Sequence, residues 1–282
     1  MFRAALPDVP NLQICASAST FEGVWISATG IGETIADAQV RHDAERAERR
    51  HSVRLRRITS PGAGLRGEII GVAAGTDDAE QVRQRAVNEL IERWACNGWW
   101  NGSVSHRSPG RTAQDAFDEA RRNWPRNRWR RTGLRQVDAG DERTVCVAWS
   151  CDGYGNSLCF GTACLTRADK AAQKALIELY QMEFGLSVIR HRDDHGVALS
   201  AREKGVLDRA RRLTYADVAD RLEDGPNSVN GFAGREQPSV QAVESFKASE
   251  DDHLVVFTRW QAPPGNDRAA IGPGGFTLYG DV

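Results

Sequence analysis

The sequence predicts a layered α/β or α+β fold, and three observations predict it. Apolar stretches such as "GEIIGVAAG" (67–75) alternate along the chain with long proline-free runs of Ala, Glu, Arg and Gln, which mark strands and helices respectively. A chain that alternates the two covers its sheets with helices. The 282 residues are 40% apolar, enough for one sizeable core. The length suits one large domain or two small ones.

The elements follow in order. Residues 11–29 carry the strand-like stretches "LQICASAS" and "GVWISATG". A helix starts near Thr34 and runs past Arg50, through good helix formers. "SVRLRRI" (52–58) reads as a strand, "TSPGAG" as a turn, and "GEIIGVAAG" as a buried strand ending in glycine. A second helix covers Asp78 to Cys96 and stops before "NGWWNG", where Trp99 and Trp100 cap its end and pack in the core. Residues 112–134 are helical or irregular and close with "RRNWPRNRWRR". "TVCVAWSCDGYGNSLCFGTACL" is a pair of strands around a tight "DGYGN" turn. A third helix spans Ala168 to Phe184, and "SAREKGVLDRARRL" is a short amphipathic helix. "DGPNSVNGFAGREQP" reads as a flexible loop, "HLVVFTRW" as a late strand and "APPGNDRAAIGPGG" as an irregular tail.

Composition excludes several classes. The net charge of −1 gives no global field toward nucleic acid or an anionic membrane. No apolar run approaches a membrane span, and "MFRAALPDVPNLQ" lacks the apolar centre of a signal peptide. Cysteines stand at 15, 96, 146, 151, 159 and 164 without a C-x-x-C pair. Several sit in apolar runs, so they are read as reduced core residues of a cytoplasmic protein. No base is evident beside Cys146 or Cys151, and no catalytic residue is assigned. "RRNWPRNRWRR" reads as a surface segment with packed Trp rings and solvated Arg heads; contact with an acidic peptide comes second and single-stranded nucleic acid third. "HRDDH" (191–195) reads as a solvated loop, with a His/Asp metal site as the alternative.

Three helices echo one another. The first carries Glu45 and Glu48, the second Glu89 and Glu92, the third Glu178 and Gln181. Each pair is spaced i,i+3, which places both members on one helix face. Each helix follows a glycine, at Gly32, Gly75 and Gly161. In the second and third helices the acids lie beside Leu90, Ile91, Leu176 and Leu179, where a carboxylate needs cationic compensation. Carboxylates converging from several helices suit Mg²⁺, which also keeps phosphate or water ligands. Arg49 and Arg93 offer bidentate contacts to phosphate. The competing account is plain i,i+4 salt bridging, Glu45 with Arg49 and Glu89 with Arg93.

At these residues the chain resembles the YcaO family, whose mark is a set of E-x-x-E or E-x-x-E-R helices after glycine-rich turns, closed by A-L-x-E-x-x-Q. The matching stretches are "ETIADAQVRHDAERAER", "GTDDAEQVRQRAVNELIERWACNGWW" and "FGTACLTRADKAAQKALIELYQ", within residues 24–184; residues 200–282 match more weakly, through "VVFTRW". The resemblance implies a single YcaO-like layered domain over residues 1–282, with glutamate-bearing helices on mixed sheets, and an ATP site without a P-loop. It implies Glu45, Glu48, Glu89 and Glu92 as Mg²⁺ and ATP ligands, Arg93 as a phosphate contact, and Glu178 and Gln181 completing the ATP site. The implied activity is ATP- and Mg²⁺-dependent activation of backbone amides in a ribosomally made precursor peptide. It yields azolines in some members and thioamides or amidines in others. A partner protein that presents the peptide and a homodimer are further expectations. The chain departs from the pattern at Gly30-Ile31-Gly32, which lacks the usual lysine, at Arg41 in place of a serine, and in "AAGTDDAEQ". A non-catalytic scaffold or peptide-binding subunit of the same fold is the alternative.

Overall fold

The computed structural model describes residues 1–58, 68–76, 78–140, 142–223, 244–250 and 253–261. The chain begins with strands β1 (Phe2–Leu6), β2 (Val9–Phe21) and β3 (Val24–Gly32), followed by helix α1 (Ile35–Ile58). Strand β4 (Glu68–Gly75) leads into α2 (Ala79–Trp100), then β5 (His106–Arg107) and α3 (Arg111–Asn123). Strands β6 (Arg131–Val137), β7 (Thr144–Cys151) and β8 (Cys159–Leu165) precede α4 (Ala168–Asp194). Helices α5 (Ala201–Arg212) and α6 (Tyr215–Leu222) and strands β9 (Glu244–Glu250) and β10 (His253–Gln261) complete the described chain.

These strands form three sheets, ordered β1-β2-β3, β4-β10-β9 and β5-β6-β7-β8. Every pairing among the described residues is antiparallel. The layered α/β class stands, but the sheets are not mixed. Strands β3, β4 and β8 are sheet edges, and each leads directly into the helix that packs on it: α1, α2 and α4. Strand β7 is buried along its whole length, as its near-continuous apolar run requires.

Glycines set how closely helix and strand approach, Gly71 and Gly161 among them. A Cβ on Gly71 would lie 2.0 Å from the Ala86 carbonyl oxygen, and one on Gly161 would lie 2.1 Å from the Leu179 nitrogen. Both obstacles are helix backbone, which a rotamer change cannot relieve. Gly161→Ala should therefore cost at least about 1–3 kcal/mol. Thermal unfolding checks this, and an unchanged midpoint would show that α4 does not lie so close to β8.

Several boundaries differ from the sequence reading. "SVRLRRI" is no strand; it continues α1, because extending an existing helix avoids a new nucleation cost. Helix α2 passes through Asn97 and Gly98 because Trp99 is buried beyond them. Helix α4 runs on to Asp194, so "HRDDH" supplies its last turn instead of a solvated loop. There His195 Nδ1 lies 2.7 Å from the His191 carbonyl oxygen, and Asp193 pairs with Arg211 at 2.9 Å. Gly32 and Gly75 end strands, and Gly161 lies inside one. Strands β1, β5, β6 and β9 and helix α6 went unread, and β6 begins inside the stretch 112–134 read as helical or irregular. "TSPGAG", "DGPNSVNGFAGREQP" and the tail from 262 lie outside the described residues.

The basic segment also differs. Trp124 is buried as expected, but Trp129 is 74% exposed. Arg126 and Arg130 turn inward to Glu183, at 2.9 and 3.2 Å. The "DGYGN" turn forms as read: Asp152 Oδ1 accepts from the Tyr154 and Asn156 N–H groups, at 2.9 and 2.8 Å. All six cysteines are free and buried. Among the described residues no helix is long and apolar enough to cross a membrane.

Candidate functional site

The site is built where the three sheet edges meet their helices. A strand edge presents N–H and C=O groups that must be satisfied. On β4 the Val72 N–H donates to Glu89 Oε2 and the Ala74 N–H to Glu48 Oε1, both at 2.8 Å. The Ile70 carbonyl accepts from Arg93 at 2.9 Å, and the Ala74 carbonyl from Arg85 at 3.4 Å. Residues 70, 72 and 74 alternate along the strand, so these groups share one edge. On β3 the Thr29 N–H donates to Glu45 Oε2 at 2.8 Å, and on β8 the Thr162 hydroxyl donates to Glu92 Oε1 at 2.5 Å. Glu48 rides on α1 yet binds β4, so it ties the first helix to the second sheet.

The acid pairs converge. Gln181 Nε2 donates to Glu45 Oε2 at 3.4 Å, which joins α4 to α1. Glu48 feels the charges of Glu89 and Glu45, and Glu178 those of Glu92 and Glu45. The salt bridges form as well: Arg49 to Glu45 at 3.1 Å and Arg93 to Glu89 at 2.5 Å. The salt-bridge account is therefore met, and Glu45 and Glu89 each give one oxygen to an arginine and the other to a strand edge.

The electrostatics reflect this crowding. Burial and the neighbouring Glu89 push the Glu48 carboxyl up to about 8, against the Ala74 N–H bond. Burial raises Glu178 to about 7, although Lys174 and Arg41 pull it down. Glu92 is also raised by burial, with Lys174 and the Thr162 hydroxyl opposing. Lys174 responds in the opposite sense. Burial alone would lower its ammonium, but Glu178, Glu92, Glu89 and Glu48 hold it above the ordinary lysine value. The glutamates are half-buried and Lys174 is exposed, yet all of these groups are desolvated by surrounding protein. Groups with both properties line a recess and not a convex surface.

Every site residue expected from the sequence lies at or beside this recess. Arg93 is committed to Ile70 and Glu89, which places it at the flank. Lys174 and Thr162 went unread. Lys174 could have been found, because it stands one helical turn before Glu178; Thr162 comes from a strand and carries no local signal. A cleft of about 370 Å³ opens elsewhere, between α3, β6 and α6, lined by Phe117, Arg121, Trp149 and Leu222. It holds none of the glutamates. Among the described residues no three His, Cys, Asp or Glu side chains gather tightly enough to hold a metal ion by themselves. Mg²⁺ characteristically takes one or two carboxylates and fills its octahedron with phosphate and water, so this donor set fits a metal that arrives with a polyphosphate.

The glutamate-bearing helices lie on three antiparallel sheet edges, and the sequence carries no P-loop. The family model described as YcaO cyclodehydratase, ATP- and Mg²⁺-binding, matches residues 33–258, and the chain belongs to the YcaO family. Its fold is similar to that of YcaO from Methanopyrus kandleri bound with AMPPCP and Mg²⁺, with a TM-score of 0.55 and 13% identity, covering 91% of this chain and 83% of that one. It is also similar to a chain of the E. coli microcin synthetase McbBCD complex, with a TM-score of 0.52 and 12% identity, covering 87% of this chain and 86% of that one. At these identities the likeness is one of fold. A comparison with curated proteins found no match.

Proposed function

We propose that this chain uses Mg-ATP to activate backbone amides of a ribosomally made precursor peptide, as an ATP-dependent cyclodehydratase or a closely related amide-modifying enzyme. The observation that carries this reading is the gathering of Glu45, Glu48, Glu89, Glu92 and Glu178 from three helices into one recess with a lysine among them. Carboxylates placed beside an apolar core are costly, and a site that binds divalent cations gives them a use. Mg-ATP would supply the phosphoryl group that makes the amide oxygen a leaving group.

The chain's own part is positioning. The strand-edge N–H bonds orient one oxygen of Glu45, Glu48 and Glu89, and the Thr162 hydroxyl orients Glu92. In phosphoryl transfer such preorganisation and charge neutralisation carry most of the catalysis. Glu45, Glu48, Glu89 and Glu92 would share the Mg²⁺ that arrives with the nucleotide, an ion taking one or two of them together with phosphate and water. Glu178 and Gln181 would close the site from α4, and Arg93 would lie near the phosphates. A partner protein that presents the peptide, and a homodimer, belong to this reading. Membership of the family, and a fold shared with a chain that works inside a multi-protein synthetase, support the first of these.

Titration of Mg-ATP against the whole chain tests the reading. Wild type should bind, and Glu89→Ala/Glu92→Ala should weaken binding by more than about 100-fold, since even outer-shell changes at metal sites cost about 10–100-fold. A well-folded wild type that binds no Mg-ATP would sink the reading and leave the scaffold alternative.

A further inference from the structure

The three helices share more than their acids. One turn before each pair stands a basic residue: Arg41 before Glu45, Arg85 before Glu89 and Lys174 before Glu178. The spacing i, i+4, i+7 puts cation and acids on one helix face. All three basic side chains are exposed, whereas the acids below them are half-buried. The faces therefore present a basic rim over an acidic floor.

Each cation also serves a neighbouring element. Arg85 donates to the Ala74 carbonyl at 3.4 Å, and the N–H of that same residue holds Glu48 at 2.8 Å. Arg41 on α1 acts on Glu178 of α4. Lys174 on α4 acts on Glu92 and Glu89 of α2 and on Glu48 of α1. The Gln181–Glu45 bond holds the α4 and α1 faces against each other. The three cations thus come from separate helices whose glutamate faces adjoin.

An acidic floor alone would repel a phosphate chain. Bound cations offset part of that repulsion, and basic side chains must supply the remaining attraction through charge-assisted hydrogen bonds. On α1 that role falls to Arg41, four residues before Glu45. We propose that Arg41, Arg85 and Lys174, one from each helix, form a basic rim that holds the phosphate chain of the nucleotide beside the glutamates. The proposal rests on the Mg-ATP reading and adds the residues that bind the phosphates.

Inorganic tripolyphosphate with Mg²⁺ is the probe, because it offers the phosphate chain without the nucleoside. Arg41→Gln, Arg85→Gln and Lys174→Met should each weaken its binding, and that of Mg-ATP, about tenfold, as expected for the loss of a hydrogen bond between charged groups. Each should also flatten the salt dependence of that binding. Mn²⁺ alone should bind each variant at least as well as wild type. If the three residues are only counter-ions to the glutamates, Mn²⁺ will bind more tightly while tripolyphosphate affinity stays unchanged, and the proposal is overturned. If Lys174→Met does not fold, unchanged affinity in both arginine variants has the same force. A folded wild type that binds neither Mg-ATP nor Mg-tripolyphosphate overturns the nucleotide reading itself and this proposal with it.

Discussion

The metal-free protein should lose on the order of a few kcal/mol of stability between about pH 5 and about pH 8, with one pKa unit worth about 1.4 kcal/mol. The sign follows from Glu48 and Glu178, raised to about 8 and about 7 in the folded chain from an ordinary value of 4.5. Between 4.5 and those values the folded state keeps protons that the unfolded chain has already released. Stability falls with rising pH wherever the native state binds more protons. Below 4.5 both states are protonated and the penalty vanishes. Lys174 does not reverse the trend, since its raised ammonium stays charged throughout this window. Burial raises the Cys146 and Cys159 thiols to about 12, and these two add a similar decline only at higher pH. Urea unfolding across this range, without metal, measures the effect. Mg²⁺ with ATP should restore stability most at the alkaline end, where the carboxylates are ionised and most in need of a cation. Stability that rises from about pH 5 to about pH 8 would show that these carboxyls are not desolvated together.

Replacing Glu183 should be the most damaging single change away from the recess. Its carboxylate lies between Arg126 and Arg130, at 2.9 and 3.2 Å, and accepts a hydrogen bond from the Ser150 hydroxyl. Arg130 also donates to the Ser157 and Ser150 carbonyls, at 2.6 and 3.3 Å. Both guanidinium groups are nearly buried, so Glu183→Ala strands two charges out of water. Breaking a buried pair from one side costs about 3–5 kcal/mol, which corresponds to roughly 10 °C in unfolding midpoint for a chain of this size. Replacing the three residues together, Arg126→Met/Arg130→Met/Glu183→Leu, should recover much of that loss, because no charge is then left unpaired. A single variant as stable as wild type would mean that water reaches these arginines.

Both predictions depend on contacts of long sequence separation, and this marks how far the residues could be read. The acid pairs were legible because i,i+3 spacing on one helix face is a local property, true wherever the helix lies. The β7–β8 pair was legible because its apolar run and its Asp152–Asn156 turn lie side by side in the chain. Helix ends were less so. Gly98 and Gly185 are poor helix residues by propensity, yet α2 and α4 run through them to bury Trp99 and Leu186. The reading of "RRNWPRNRWRR" as solvated arginines missed Glu183, more than fifty residues ahead of Arg126 and Arg130 in the chain.

The sequence by itself determined the layered class and the acid-bearing helices, because side-chain type and helical period are local. Only the tertiary structure decided that those helices meet at three sheet edges, that strand N–H groups and Thr162 orient the carboxylates, and that Lys174 shares their recess. The physical reason is that desolvation and charge coupling are fixed by distance in space. Residues as far apart as Glu45 and Gln181 acquire that distance only when the sheets and helices pack.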